Sequence, residues 1–370
     1  VRYECVPMRF IKHVYKIHTY AQDGRLFEGK TPVSAFLNSS YDGSFIAGLM
    51  ELRYIQSLPV ERIINYFESH GFTLKKPTAH KLMEKASSLF ENLYKCIRQT
   101  ALSDPYKAAD ETYYKILVPE KNSKGKGVRK GYLWVVVGIN TRMIYLLYDD
   151  GSRSEKVILN ELGGCKGIIQ SDGYSPYRKL ESDAYPHITR IPCLQHIKRK
   201  FIDCGEDDPD AKRIVEMINT LYQNEHKHKI GVDGWTVEQN LVHRKKYAPD
   251  ILGEIKDVLD DIEERGDLLP KSELKEAITY LRNEWNAVVD IFNYGDTYLD
   301  NNIVERMNRY ISLSRKNSLF FGSHKGAERG AILYTIALTC RMNKVNLFEY
   351  LTDVINRTAE WQPNTPLEKY

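Results

Sequence analysis

Glu305 is a carboxylate set among cations. It lies in Leu299-Asp300-Asn301-Asn302-Ile303-Val304-Glu305-Arg306-Met307-Asn308-Arg309, and from Glu305 to Arg329 the acids are Glu305 and Glu328 against Arg306, Arg309, Arg315, Lys316, Lys325 and Arg329. That mixture suits phosphoryl transfer on a nucleic acid, because a carboxylate holds a divalent metal while cations hold the phosphate backbone. A capped helix with a solvated charged face fits the same residues. Two further acids have comparable settings. Asp110 opens the strand-like run Asp110-Glu111-Thr112-Tyr113-Tyr114-Lys115-Ile116-Leu117-Val118. Asp172 follows the short apolar run Gly167-Ile168-Ile169-Gln170-Ser171, at the carboxyl end where open α/β sheets place site residues. Two or three carboxylates can hold a pair of Mg²⁺ ions, which prefer oxygen ligands and leave positions open for phosphate and water. With 49 Asp plus Glu in the chain, pattern alone does not single out these three.

Other residues carry chemistry with a plainer alternative beside it. Cys193 and His196, three apart on an expected helix, are half of a metal site or ordinary packing. Lys198, Arg199 and Lys200 follow at once, and with Arg306, Arg309, Arg315 and Lys316 they either contact phosphates or solvate helix faces. Trp285 could stack on an unpaired base, but its place on a long apolar stripe favours core burial. Residues 121–130 form a basic, glycine-rich loop without an acid, suited to a phosphate backbone or to a solvated hairpin tip.

The elements that position these groups follow from periodicity. Residues 1–45 mix β-like runs, chiefly Met8 to Tyr20, with turn residues Asp23-Gly24 and Asp42-Gly43. Helical spacing then covers Phe45 to Gln56, Pro59 to His70 and, beyond Gly71, one helix from Pro77 through Ile97; helix, Gly-containing turn, helix is compatible with a helix-turn-helix and with any small α-hairpin. From Ala108 the period shortens to that of strands: the run from Asp110, then Gly131 to Ile139 and Met143 to Tyr148, a meander. A helix from Ser154 to Leu162, the Gly167–Ser171 strand and another from His187 to Pro192 complete this part. Residues 208–292 return to helical stripes, and Ala327 to Ile355 is helical with a break at Asn343 to Asn346. Asp and Asn at 300–302 are good N-caps for the Glu305 helix.

Composition fits a chain of 370 residues that is 42% hydrophobic, enough for a substantial core and two or three domains. A net charge of +4 leans towards polyanionic partners only through local clusters. No apolar run is long enough to cross a bilayer, and six scattered cysteines without a Cys-x-x-Cys pair predict a reducing cytoplasm. The chain begins at Val1, which suggests processing or truncation.

Ala109-Asp110-Glu111-Thr112, Gly131-Tyr132-Leu133-Trp134-Val135, Ser171-Asp172-Gly173-Tyr174, the run from Cys193 to Phe201, Asp300 to Arg306 and Arg315 to Ser323 occur in an order that resembles transposases of the bacterial insertion sequence 66 family. The likeness covers roughly residues 50–355. It implies a ribonuclease-H-like core of the DDE type: an α/β mixed sheet flanked by helices, with an α-helical insertion and an α-helical N-terminal region. The implied organisation is an irregular region at 1–45, a helical region at 46–104, the first part of the core at 105–206, the insertion at 207–298 and the rest of the core at 299–370. Carried over by position, Asp110, Asp172 and Glu305 match the catalytic triad that binds Mg²⁺, for which Mn²⁺ can substitute. The implied activity is cleavage at transposon ends and strand transfer into target double-stranded DNA, by a homodimer or higher oligomer in the cytoplasm, at the nucleoid when bound. A ribonuclease-H-like nuclease without joining activity and a non-catalytic DNA-binding derivative are the alternatives. Two departures stand out. Only Cys5 occurs where the family carries a Cys-rich zinc module, and Ser314 stands where the family tends to have Gly before Arg-Lys-Asn.

Overall fold

The computed structural model describes residues 1–4, 8–29, 34, 36, 39–121, 125, 127–205 and 207–360. Cys5 and Asn122, Ser123, Lys124 and Lys126 of the basic loop therefore lie outside the described residues.

At the centre is a five-stranded mixed sheet of order β5-β4-β3-β6-β7. β3 (Tyr106–Leu117), β4 (Val128–Gly138) and β5 (Met143–Leu147) form the expected antiparallel meander. β6 (Gly167–Ser171) and β7 (Ile188–Pro192) extend it in parallel on the other side of β3. β3 starts at Tyr106, so Asp110 lies well inside the strand rather than near its start. The earlier residues Lys107, Ala108 and Ala109 are short or buried, which hid them from a pattern based on Val, Ile and Tyr.

Alternation splits β4 between two apolar layers. Leu133, Val135 and Val137 join the main core, while Trp134 and Val136 join a second cluster with α5 (Glu155–Leu162) and Tyr177 of α6 (Ser175–Arg178). On the main face lie α11 (Asn302–Ser318) and α12 (His324–Met342). α12 also covers the outer edge of the sheet: the amides of Ile144 and Leu146 donate to Thr339 Oγ1 and Thr335 Oγ1 at 3.1 and 3.0 Å.

The N-terminal part corrects two expectations. Of the β-like runs expected within Met8 to Tyr20, residues 8–18 form no strand and Thr19 and Tyr20 do; the hairpin is β1 (Thr19–Gln22) with β2 (Arg25–Glu28), because there Asp23-Gly24, both at positive φ, closes a two-residue turn. Phe10 instead packs on Phe45, Phe67 and Phe72. The helix expected from Pro77 through Ile97 is two, α3 (Lys76–Leu89) and α4 (Glu91–Ser103), divided at fully buried Phe90. Before them, α1 (Gly43–Met50) runs into a π-helical turn, Glu51–Ile55, and α2 (Val60–Ser69). Arg53 of that turn is buried and donates to Ser314 Oγ at 3.2 Å, as does the Tyr334 hydroxyl at 2.5 Å. Ser314 is thus the shared acceptor that joins the N-terminal helices to α11 and α12.

Between β7 and α11 the chain forms α7 (Leu194–Ile202), α8 (Pro209–Glu225), α9 (Val237–Arg265) and α10 (Glu273–Ile291). α8 to α10 are the expected helical segment, and it is bound to the sheet by charge as well as by apolar packing. Arg190 on β7, with 0% of its side chain exposed, pairs with Glu284 of α10 at 1% exposed. Removing one member of a buried pair strands the other charge, at a cost of about 3–5 kcal/mol. Arg190 also pairs with Glu181, so Glu284→Ala leaves it one carboxylate and is expected to cost less than that, about 2–3 kcal/mol in chemical denaturation; a loss below about 1 kcal/mol, the range of exposed pairs, would show that Glu181 alone satisfies Arg190.

Candidate active site

Asp110 and Glu111 are neighbours that point to opposite faces of the sheet, as the two-residue period of a strand requires. Glu111 turns to the second cluster, where its carboxylate pairs with Arg153 and accepts from the Tyr177 hydroxyl at 3.4 Å. Asp110 turns to the main face and meets no cation among the described residues. It accepts from the Asn308 amide at 2.6 Å and from the Glu111 backbone at 2.8 Å. Burial first, then the nearby carboxylates of Glu111 and Asp172, push its pKa up to about 7.

Asp172 is held by the loop that carries it. Its carboxylate accepts from Tyr174 N at 3.1 Å, Arg190 Nη2 donates to its backbone oxygen at 2.8 Å, and the Tyr280 hydroxyl of α10 accepts from Gly173 N at 2.8 Å. A Cβ on Gly173 would lie 2.5 Å from that hydroxyl oxygen, so only glycine allows the approach. α10 therefore fixes the backbone on which Asp172 sits.

Glu305 is placed by the segment before α11. Tyr298 N donates to the Tyr106 hydroxyl at 3.0 Å, Gln170 Nε2 donates to Tyr298 O at 2.8 Å, and Leu194 N donates to Leu299 O at 2.9 Å. Asn301 occupies the N-cap position but does not cap; its side-chain amide donates to Ala109 O at 3.0 Å. Asn301, Glu305 and Asn308 recur at helical spacing, so Glu305 lies between two anchors on β3. Its Oε1 comes within 3.8 Å of His196 Nδ1 and is buried without a hydrogen bond, as is Asn308 Oδ1. Asp172 thus acts electrostatically on Asp110, while Glu305 lies on the adjoining helix with His196 and Cys193 among its ionisable neighbours.

A hard divalent cation takes oxygen donors of this kind: Asp110 and Asp172 repel each other, no cation meets Asp110 among the described residues, and Oδ1 of Asn308, whose amide bonds Asp110, is orphaned. Glu305 does not join them in one ligand cluster; among the described residues the three ligand atoms within 4.8 Å of one another are those of Cys193, His196 and Glu305.

The expected DNA-contacting residues divide. Arg199, Lys200, Arg306, Arg309 and Lys316 are exposed, and Lys198 is half-buried. Arg315 is already engaged: its guanidinium carbon lies 3.9 Å from the Tyr113 ring centroid and it donates to Tyr113 O. Trp285 is half-buried and packs against the core, lining a groove with Ala248, Pro249 and Leu252. Sequence reasoning missed Tyr106, Gln170, Arg190 and Tyr280 as positioning residues; Gln170, a polar residue inside an apolar strand, was the available signal.

Three relatives from Sinorhizobium fredii are similar over most of this chain. The uncharacterized protein y4jD is 26% identical over 325 residues, covering 84% of this chain and 61% of its own. The uncharacterized proteins y4qI and y4hP are 26% and 24% identical, over 99% and 96% of this chain and 69% and 67% of theirs. This chain thus spans about three-fifths of the length of the first of these relatives. The model of the transposase IS66 family matches residues 38–329, a span that includes Asp110, Asp172 and Glu305, and the chain belongs to that family.

Proposed function

We propose that the protein is a DDE transposase, cleaving DNA at transposon ends and joining the freed 3′ hydroxyl to target double-stranded DNA. The observation that carries this is the uncompensated carboxylate of Asp110 beside Asp172, with a third acid on the helix bound to the same strand. The sheet order supports a ribonuclease-H-like core: counted from the Asp110 strand it is 3-2-1-4-5, with the second strand antiparallel. Asp110, Asp172 and Glu305 would hold Mg²⁺, or Mn²⁺ in its place. When bound, the metal activates the attacking oxygen and steadies the leaving one.

The protein's own groups perform the rest. Asn308 and the Glu111 amide orient the Asp110 carboxylate, and Arg190 and Tyr280 hold the Asp172 loop, so the acids are positioned before substrate arrives. Arg199, Lys200, Arg306, Arg309 and Lys316, with Lys198, would neutralise phosphates without reading bases. Arg315 contributes by fixing α11 to β3 at Tyr113.

Three outcomes follow. Asp172→Asn and Glu305→Gln should each reduce Mg²⁺-dependent strand cleavage of element-end DNA by roughly 100-fold or more, at least what loss of an outer-shell group costs; a wild-type rate in either would remove that residue from the triad. Joined products in the same assay separate a transposase from a nuclease that only cuts, and metal-dependent cleavage separates both from a DNA-binding derivative.

Asp110 predicts a pH dependence. Its folded pKa of about 7 exceeds that of an unfolded Asp, about 3.9, so between these values the folded state keeps a proton the unfolded state has lost. Stability of the metal-free protein should fall across that window, and Asp110→Asn should flatten the fall and raise Tm by a few degrees at pH 8. Thermal melts with an identical slope in both proteins would contradict it. Lys316→Ala should weaken DNA binding regardless of sequence and lower the salt slope by about 1; an unchanged slope would exclude Lys316 from the interface.

A further inference from the structure

Cys193 and His196 occupy the N-cap and third positions of α7, the spacing by which a capping box turns two side chains towards each other. Here the pair is a thiol and an imidazole. Glu305 approaches from α11, so that one ligand atom from each of the three residues lies within 4.8 Å of the other two. Cys193 is 1% exposed. His196 Nδ1 and Glu305 Oε1, 3.8 Å apart, are both buried and without a hydrogen bond among the described residues. Two orphaned polar atoms facing each other beside a buried sulfur are costly unless something sits between them.

We propose that Cys193, His196 and Glu305 form a site for a thiophilic divalent ion such as Zn²⁺, tying the start of α7 to α11. A tetrahedral Zn²⁺ with bonds of about 2.0–2.3 Å sets its ligand atoms about 3.3–3.7 Å apart. The His196–Glu305 separation of 3.8 Å already meets this, and the widest separation closes with a movement of about 1 Å. Sulfur and imidazole ligands select a borderline-soft metal over Mg²⁺, so this site differs in metal from the proposed set of Asp110, Asp172 and Glu305, with which it shares the Glu305 carboxylate. Asn301 N donates to Cys193 Sγ at 3.2 Å, a hydrogen bond that stabilises the thiolate left when the ion displaces the thiol proton. With three protein ligands the fourth position stays open to water or an anion.

Because Glu305 is common to both sets, the test reads metal binding rather than transposition, with Co²⁺ as a coloured substitute for Zn²⁺ in Mg²⁺-free buffer. The full chain should develop thiolate-to-cobalt charge-transfer absorption saturating at one equivalent, removed by excess Zn²⁺. Cys193→Ser should abolish it. His196→Ala and Glu305→Gln should raise the apparent Kd by roughly tenfold or more. Asp110→Asn, which disables the proposed catalytic set, should leave it unchanged. Zn²⁺ should also raise the Tm of the wild-type protein with concentration, a measurement that does not depend on any variant folding. Absence of the absorption in wild type, or its survival in Cys193→Ser, would overturn the proposal.

Discussion

Two side-chain amides hold the candidate site together. Asn301 donates to the carbonyl of Ala109 and Asn308 to the carboxylate of Asp110, so α11 is bound to the central strand on either side of Glu305. Further along, Arg315 grips Tyr113, and Phe321 forms a short parallel bridge with Ile116. Together with the core packing of Val304 and Ile311, these contacts set the depth and rotation against β3 of a helix that the chain reaches only after α7 to α10. The entropy of closing so long a loop grows only with the logarithm of its length, which a few well-made contacts offset.

The adjacent carboxylates of β3 illustrate how environment divides chemically similar groups. Glu111 is matched by Arg153, itself stacked on Tyr132 and Tyr174, and is part of the structure. Burial and the Asp172 charge oppose the ionisation of both, but among the described residues Asp110 meets amide donors and no cation. α10 acts on the neighbouring Asp172 loop, directly through Tyr280 and through Arg190 by way of Glu284.

Much of the fold was legible because local pattern and tertiary placement agree. The meander, the Gly167–Ser171 strand, the helical stripes of residues 208–292 and the break near Asn343 all follow from period and punctuation. Asp172 at a strand end and Glu305 one turn into a helix were legible for the same reason. Phe90 was not, because a buried aromatic at a bend looks the same as one within a helix. Nor was the use of Asn301, whose position is that of a cap while its amide reaches across to another strand. Gln170, Arg190 and Tyr280 act through contacts more than a hundred residues apart in some cases, which no window along the chain contains.

The threonines of α12 leave the rim of the sheet chemically silent. With the outward amides of Ile144 and Leu146 already bonded to hydroxyls of the same chain, that side of β5 offers no free donors at these positions to a foreign strand. Any assembly that recruits this side of the molecule must do so through side chains displayed on helices, and runaway growth by edge-to-edge stacking is blocked there from the outset.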